Sequence, residues 1–153
     1  MDVVDARTRS RMMAGIQSKN TKPEMAVRKV AHALGYRYRL HRRDLPGTPD
    51  LAFSRFRAVI QVHGCFWHRH EGCRFCTTPA SNVEFWQKKF RRNVERDGKA
   101  EVALAAKGWR MMVVWECQAR DAAFIETGLR RFLGEPRQEI IANDTPVSPP
   151  KTA

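Results

Sequence analysis

Residues 63–76, HGCFWHRHEGCRFC, place three histidines and three cysteines in one short stretch. Thiolates and imidazoles are the ligands that zinc takes in tetrahedral structural sites. A metal site alone does not account for the third histidine or for the adjacent aromatic pair Phe66 and Trp67. The stretch therefore predicts a metal site together with a second chemical role for the residues that the metal does not use.

The cysteines allow more than one set of zinc ligands. Cys117, at the end of WRMMVVWEC, is the fourth cysteine of the chain and can return beside the stretch. Cys65, His70, Cys73 and Cys117 reach the four nitrogen or sulfur ligands that a tetrahedral site requires. Cys73-x-x-Cys76 is itself a ligand-like pair, so the residues alone leave both choices open.

A predicted hairpin brings an acid beside this stretch. Asp50 begins one strand, and the next strand ends in Gln61, Val62 and His63 after a tight connection at about residues 54–57. In such a hairpin Asp50 lies opposite about Gln61, and His63 is its diagonal neighbour on the same face. We therefore expect a carboxylate to meet a histidine there.

The flanking sequence supplies elements that can hold these residues. Thr21 and Glu24 have capping-box spacing at the start of TKPEMAVRKVAHALG, and Ser81 and Glu84 predict a second cap on a long or broken helical segment. Strands are predicted in YRYRL, LPGTPDLAF, RAVIQV and WRMMVVWEC, and a last amphipathic helix in DAAFIETGLRRFL. The order helix, three strands, helix, strand, helix predicts a mixed α/β sheet covered by helices.

The composition indicates one basic domain followed by a tail. The 153 residues suffice for one core, and residues 134–153, rich in proline and polar residues, are predicted to be mostly disordered. The formal net charge is +12, and because the tail holds two basic and three acidic residues, residues 1–133 carry +13. This charge favours a nucleic acid partner, although a solvated basic face would give the same count.

The sequence predicts a cytoplasmic protein. No stretch approaches the roughly 20 apolar residues of a membrane span, and MDVVDARTRSRMM lacks the apolar core of a signal peptide. In a reducing compartment, cysteines beside histidines favour zinc over disulfides.

Several motifs carry a family resemblance. They are, in order, TRSRMM, Glu24, LPGTPD, HGCFWH, EFW, NVERD and VVWEC. Over about residues 5–133 the chain resembles the very-short-patch repair (Vsr) endonucleases, which nick DNA at a T:G mismatch. Pro49-Asp50 also matches half of the usual signature of restriction-endonuclease-like nucleases, but Gln61 stands where that signature has an acid and cannot supply its negative charge.

The resemblance implies a restriction-endonuclease-like mixed central sheet flanked by helices over residues 1–133, with a DNA-contacting segment at 1–19. It also implies catalytic Mg²⁺ and a separate structural Zn²⁺. For catalysis it implies that Asp50 and the backbone carbonyl of Val62 bind Mg²⁺ and that Glu24 orients a metal-bound water. It implies His68 as the general base, oriented by Asp97. His63 is a further catalytic residue that it implies.

The resemblance further selects a zinc site and a DNA-binding surface. The zinc ligands implied are Cys65, His70, Cys73 and Cys117, which leaves Cys76 as an additional thiol. The DNA contacts implied are the wedges Met13, Phe66, Trp67 and Trp86. Lys88 and Lys89 are expected to contact phosphate, with a merely solvated helix face as the alternative. Large apolar side chains can enter a base step where pairing is already faulty.

The expected partner is double-stranded DNA with a T:G mismatch, bound by a monomeric bacterial protein in the nucleoid with transient contacts to other repair proteins. A zinc-stabilised, non-catalytic DNA-binding module is an alternative. The Asp50 hairpin disfavours it, because DNA binding alone requires no acid directed toward phosphate. A histidine-based HNH-like site in HGCFWHRH is another, which the Asp50 hairpin disfavours. A related nuclease with a different DNA specificity is the remaining alternative.

Overall fold

The computed structural model describes residues 20–136 as a four-stranded sheet with helices on both faces. The elements are α1 (Lys22–Leu34), β1 (Arg39–Leu40), β2 (Leu51–Phe53), β3 (Ala58–His63), α2 (Val83–Ala106), β4 (Arg110–Trp115) and α3 (Ala122–Leu133). This order confirms the predicted succession of helices and strands. The predicted DNA-contacting segment 1–19, including Met13, and residues 137–153 of the predicted tail lie outside the described residues.

The sheet is mixed, as predicted. Its strand order is β1-β2-β3-β4, with antiparallel pairing of β1 with β2 and of β2 with β3, and parallel pairing of β3 with β4. Strand β3 is buried at every position except Val62, because helices cover both of its faces. The parallel pair aligns His63 with Trp115, so the ends of β3 and β4 lie side by side.

Alternation along the strands divides the core into two layers. Leu51, Phe53 and Ile60 pack on one face with residues of α1 and α3. Ala52 and Val59 pack on the other face in the cluster that contains Leu104 of α2. Because side chains alternate along a strand, His63 lies on the same face as Val59, toward α2.

The first helix begins and ends as its sequence predicts. Thr21 is the N-cap, and its hydroxyl accepts a hydrogen bond from the backbone N–H of Glu24. Gly35 ends the helix with φ of 95°, a left-handed conformation that glycine adopts without steric cost.

The second predicted cap is displaced by one residue. The N-cap of α2 is Asn82, with φ of 55°, rather than Ser81. The helix then continues without interruption through Gly98 to Ala106, so the longer of the two predicted alternatives is correct. Capping-box spacing identified the region where the helix starts but not which residue is its N-cap.

The loop before Asp50 is held against the sheet by Gly47. Gly47 has φ of +78°, and a Cβ at this position would lie 2.7 Å from the Cβ of Ala100 on α2. Its carbonyl accepts a hydrogen bond from the side-chain amide of Gln61 at 3.3 Å. At the position where the related nuclease signature has an acid, this chain therefore has an amide that anchors the PGTPD loop.

Among the helices of residues 20–136, none is both long and apolar enough to cross a membrane.

Candidate functional site

Asp50 lies at the edge of the sheet, immediately before β2. The register pairs Leu51 with Ile60, which puts Asp50 opposite Gln61 as predicted. Its carboxylate oxygen Oδ2 accepts a hydrogen bond from the backbone N–H of Val62 at 2.7 Å. Burial raises the pKa of Asp50 to about 6, and the neighbouring Glu24 carboxylate contributes to the rise while the Val62 N–H opposes it. The site thus holds a partly buried carboxylate whose charged form a cation would stabilise.

Glu24 approaches Asp50 from the first turn of α1. Its side chain is almost completely buried, with 1% exposure. One carboxylate oxygen, Oε1, accepts from the backbone N–H of Asn20 at 2.8 Å, and Oε2 lies 3.4 Å from the Arg28 guanidinium. Glu24 thus has contacts beyond those of a helix cap, and it lines the same cavity as Asp50.

His41 is a site residue that the sequence reasoning missed. Its Nε2 lies 2.8 Å from Oε2 of Glu24 and 3.9 Å from Oδ1 of Asp50. Glu24, His41 and Asp50 form one of the groups among the described residues that could hold a metal ion, with their ligand atoms within 4.8 Å of one another. His63, the histidine that the sequence placed near Asp50, lines the smaller cavity together with it, but His41 is the histidine that comes within 3.9 Å of its carboxylate.

His68 and Asp97 form a second pair, as the resemblance implied. His68 Nδ1 lies 2.6 Å from a carboxylate oxygen of Asp97 on α2. The ring of His63 stacks on that of His68, with centroids 3.8 Å apart and planes inclined by 7°. Burial lowers the pKa of His63 to about 4, and the neighbouring His68 contributes. His63 is therefore uncharged at neutral pH and stacks on His68, which is paired with Asp97.

Cys65, His70, Cys73 and Cys117 converge at a separate point, where they could hold a metal ion. His70 Nδ1 lies 3.6 Å from the sulfur of Cys65 and 3.5 Å from that of Cys117. Tetrahedral zinc, with bonds of about 2.3 Å to sulfur and about 2.05 Å to nitrogen, separates such atoms by about 3.6 Å. The four donors fit such an ion, and Cys76 is not among them.

The end of β4 supports this group. The Trp115 ring stacks on His70, with centroids 4.2 Å apart and planes inclined by 5°. Trp115 also meets the edge of His63 at a centroid distance of 5.3 Å. Trp115 therefore contacts both His70 of the four-donor group and His63 of β3, which its place in an apolar strand did not indicate.

The residues around Asp50 open onto two adjoining cavities of about 600 Å³ and about 430 Å³. Both are lined by Asp50, Val62, His68 and Arg96. Lys89 also lines the larger one. The acid and the His68–Asp97 pair thus share one cleft, lined by both acidic and basic side chains. Arg96 is a further residue of this cleft that the sequence reasoning did not single out.

Comparison with known proteins places this cleft in a family. Residues 1–74 match the family described as DNA mismatch endonuclease Vsr. The type II nicking enzyme V.XorIIP of Xanthomonas oryzae pv. oryzae is 49% identical over 132 residues, which cover 86% of this chain and 96% of that protein. The DNA mismatch endonuclease Vsr of Escherichia coli is 40% identical over 119 residues, which cover 78% and 76%. The chain belongs to the Vsr family.

Membership of the Vsr family identifies the chain as a DNA endonuclease. A further relative, the type II nicking enzyme V.NmeAIP of Neisseria meningitidis, is 38% identical over 139 residues, which cover 91% of this chain and 99% of that protein. The resemblance recognised from the motifs is thereby confirmed. The non-catalytic DNA-binding module and the HNH-like nuclease are set aside.

The predicted wedges of this Vsr-family chain form one aromatic cluster. Phe66 contacts Trp67, Trp86 and Phe90 at centroid distances of 5.0, 5.6 and 5.1 Å. Phe66 and Trp67 are partly exposed, whereas Trp86 is buried, with 6% exposure. In this conformation Trp86 supports the other rings instead of projecting from the surface. Phe85, next to it in the chain, is 47% exposed.

The loop that carries Trp67 is anchored to α2. The side-chain amide of Asn93 donates a hydrogen bond to the backbone carbonyl of Trp67 at 3.0 Å. Lys89, one helical turn before Asn93, lines the cleft, whereas Lys88 is on the exposed surface of the helix. Of the two predicted phosphate contacts, the structure therefore brings Lys89 to the cleft.

Proposed function

We propose that this endonuclease nicks one strand of double-stranded DNA beside the thymine of a T:G mismatch, in a reaction that requires Mg²⁺. The observation that carries the proposal is the shared cleft, in which Asp50, Val62 and His68 line the same cavities. A phosphodiester in that cleft would have a metal-binding edge and a proton acceptor within reach of one phosphorus atom.

Asp50 and the backbone carbonyl of Val62 would hold the Mg²⁺. In an extended strand the N–H and C=O of one residue point to the same side. Because the Val62 N–H donates to the Asp50 carboxylate, the Val62 carbonyl also points toward Asp50. Mg²⁺ favours oxygen ligands and keeps several waters, which suits a site with few protein oxygens. When bound, the ion supplies positive charge that stabilises the negative charge developing on the phosphate.

His68 is proposed as the general base for the attacking water. A carboxylate only accepts hydrogen bonds, so Asp97 holds the proton of His68 on Nδ1 and leaves Nε2 free to take another. The imidazolium that forms is stabilised by Asp97, and His63 below it carries no charge that would oppose protonation. Glu24, also in the cleft, orients the water.

The four-donor group is proposed to bind structural Zn²⁺. Cys65, His70 and Cys73 lie on the loop that carries His68, and Cys117 follows β4. Burial and the neighbouring thiols raise the pKa of Cys65 to about 12, so a cation must offset the charge if Cys65 is to be a thiolate. An ion at this position would fix the loop to the end of the sheet and so limit the movement of His68.

The restriction-endonuclease-like topology is part of the same proposal. It is supported by an acid at an antiparallel hairpin whose second strand has a parallel neighbour. We place the endonuclease domain at residues 1–133.

Specificity for a mismatch is supported by the Escherichia coli relative, a DNA mismatch endonuclease, and by the aromatic cluster beside the cleft. The choice of T:G follows from the motif resemblance. Partly exposed Phe66 and Trp67 could enter a base step, and opening that step requires less free energy where pairing is faulty. A second candidate is a nicking enzyme of the same chemistry with a different DNA specificity. It is favoured by the two relatives named type II nicking enzymes.

Asp50→Asn tests the proposed chemistry. The substitution keeps an oxygen for the Val62 N–H but removes the charge, so single-turnover nicking of a T:G duplex should fall at least about 100-fold. Asp44→Asn is the matched control, because Asp44 is an exposed acid of the preceding loop. Nicking should also disappear without Mg²⁺ and return when it is added. Equal rates for the wild type and Asp50→Asn would refute the assignment.

A further inference from the structure

The buried carboxylate of Glu24 is held by contacts from three directions. Asn20 donates its backbone N–H to Oε1 at 2.8 Å, and Arg28 and His41 face Oε2 at 3.4 Å and 2.8 Å. Arg28 lies in α1 and Asn20 lies two residues before it, so neither contact connects Glu24 to the sheet. Only His41, among these three partners, comes from the strand side of the site.

His41 is attached to the Asp50 loop by its own backbone. Its N–H donates to the carbonyl of Asp50 at 3.1 Å, immediately after β1. Its side chain then reaches Glu24, seventeen residues earlier in the chain. His41 is thus bonded through its backbone to one acid of the site and through its ring to the other.

The backbone of His41 is in an unusual conformation. Its φ is +45°, in the left-handed region that is uncommon for residues other than glycine, although asparagine, aspartate and histidine adopt it more often than the rest. Such conformations cost of order 1–3 kcal/mol and persist where surrounding contacts impose them, often at functional sites. Here the conformation turns the imidazole from the end of β1 toward the carboxylate of Glu24.

The two acids need such a link. Glu24 and Asp50 have oxygens within 4.8 Å of each other, and the charge on Glu24 raises the pKa of Asp50. Like charges at this distance repel, which favours side-chain conformations that separate them. Because a carboxylate only accepts hydrogen bonds, the bond at 2.8 Å requires Nε2 of His41 to be the donor.

We propose that His41 is a positioning residue that holds the Glu24 carboxylate facing Asp50 by donating a hydrogen bond from Nε2. The inference rests on the proposed function, in which a divalent ion and the attacking water occupy this part of the cleft. His41 does not touch the substrate in this account. It sets the separation of two carboxylates and thereby the affinity of the site for its cation.

Two substitutions separate the side chain from the strained backbone. His41→Gly removes the imidazole at a φ that glycine adopts freely, so loss of folding is not expected. His41→Gln keeps an N–H donor at nearly the same distance from the backbone. His32→Ala, which removes an exposed histidine of α1, is the matched control.

The primary readout is the affinity of zinc-loaded protein for Mn²⁺, measured by electron paramagnetic resonance, because it does not depend on nicking. Partners of metal ligands typically change metal affinity or activity by 10–100-fold. His41→Gly should therefore weaken Mn²⁺ binding by about 10–100-fold. His41→Gln should recover most of the affinity, and His32→Ala should match the wild type.

Single-turnover nicking at different Mg²⁺ concentrations is the second readout. His41→Gly should need about 10–100-fold more Mg²⁺ for half-maximal rate while its DNA affinity stays within about threefold of the wild type. Unchanged Mn²⁺ affinity in His41→Gly would overturn the proposal, and so would a His41→Gln variant as impaired as His41→Gly. A wild-type protein whose Mn²⁺ affinity falls in His41→Gly but which nicks no DNA would refute the proposed function and leave this inference standing.

Discussion

Asp50→Asn should make the protein more stable while it removes activity. The reason is electrostatic, because Asp50 is a partly buried acid beside Glu24. Its pKa rises from 3.8 to about 6 on folding, so the folded state binds the proton more tightly than the unfolded state. Stability therefore falls as the pH rises from about 4 to about 6 and remains lower at neutral pH.

The magnitude follows from the shift. About two pKa units at about 1.36 kcal/mol each amount to about 3 kcal/mol at pH 7.5 and about half of that at pH 5. Asparagine carries no charge and can still accept from the Val62 N–H, so Asp50→Asn should recover much of this free energy. Asp44→Asn removes an exposed acid whose pKa is lowered by Arg42, so it should give no gain.

Urea denaturation followed by circular dichroism measures the effect, in buffer without Mg²⁺ and without chelator so that bound zinc is kept. The gain of Asp50→Asn over the wild type should be larger at pH 7.5 than at pH 5. Added Mg²⁺ should stabilise the wild type more than the variant, since a ligand that binds only the folded state raises its stability. A variant less stable than the wild type at pH 7.5 would refute the reasoning.

Other predictions concern the base, the metal and the wedge. His68→Ala should reduce single-turnover nicking by about 10²-fold or more, with DNA affinity and zinc content unchanged. His70→Ala should lose zinc. Equal zinc loss in both variants would contradict the assignment of His68 to catalysis and His70 to zinc. Cys76→Ser should keep its zinc, as measured by atomic absorption, and loss of the metal would show that the ligand set is wrong. Trp67→Ala should narrow the ratio of nicking rates between T:G and fully paired duplexes, while Lys88→Ala should weaken binding to both by similar factors. Full discrimination in folded Trp67→Ala would mean that this ring only packs.

The sequence was most informative where local rules and family motifs agreed. Thr21 and Gly35 delimit α1 because a cap and a left-handed glycine are local requirements. The short connection at residues 54–57 determined the register of β2 and β3, and with it the place of Asp50 opposite Gln61. Both features depend on neighbours within a few residues.

The errors and omissions concern contacts between distant segments. His41 follows a two-residue strand in a left-handed conformation and meets Glu24 across the site, so periodicity gives no signal for it. His63 was expected beside Asp50 and does line one cavity with it, but its ring stacks on that of His68, and His41 comes within 3.9 Å of the Asp50 carboxylate. The burial of Trp86 depends on how α2 packs against the loop of Phe66, which the spacing of aromatic residues does not specify.

The most direct test of the proposed function is single-turnover nicking of end-labelled duplexes in the presence of Mg²⁺. The duplexes differ by design only at one central base pair, and the flanking sequence is randomised in the same way in all of them. The duplexes carry T:G, T:A, C:G or another mismatch at that position. We predict that T:G is cut at least about tenfold faster than the paired duplexes, because a mismatched step requires less of the few kcal/mol that unstacking costs, and that the cut lies beside the thymine. Equal cutting of T:A and T:G, or a cut in the guanine strand, would contradict it.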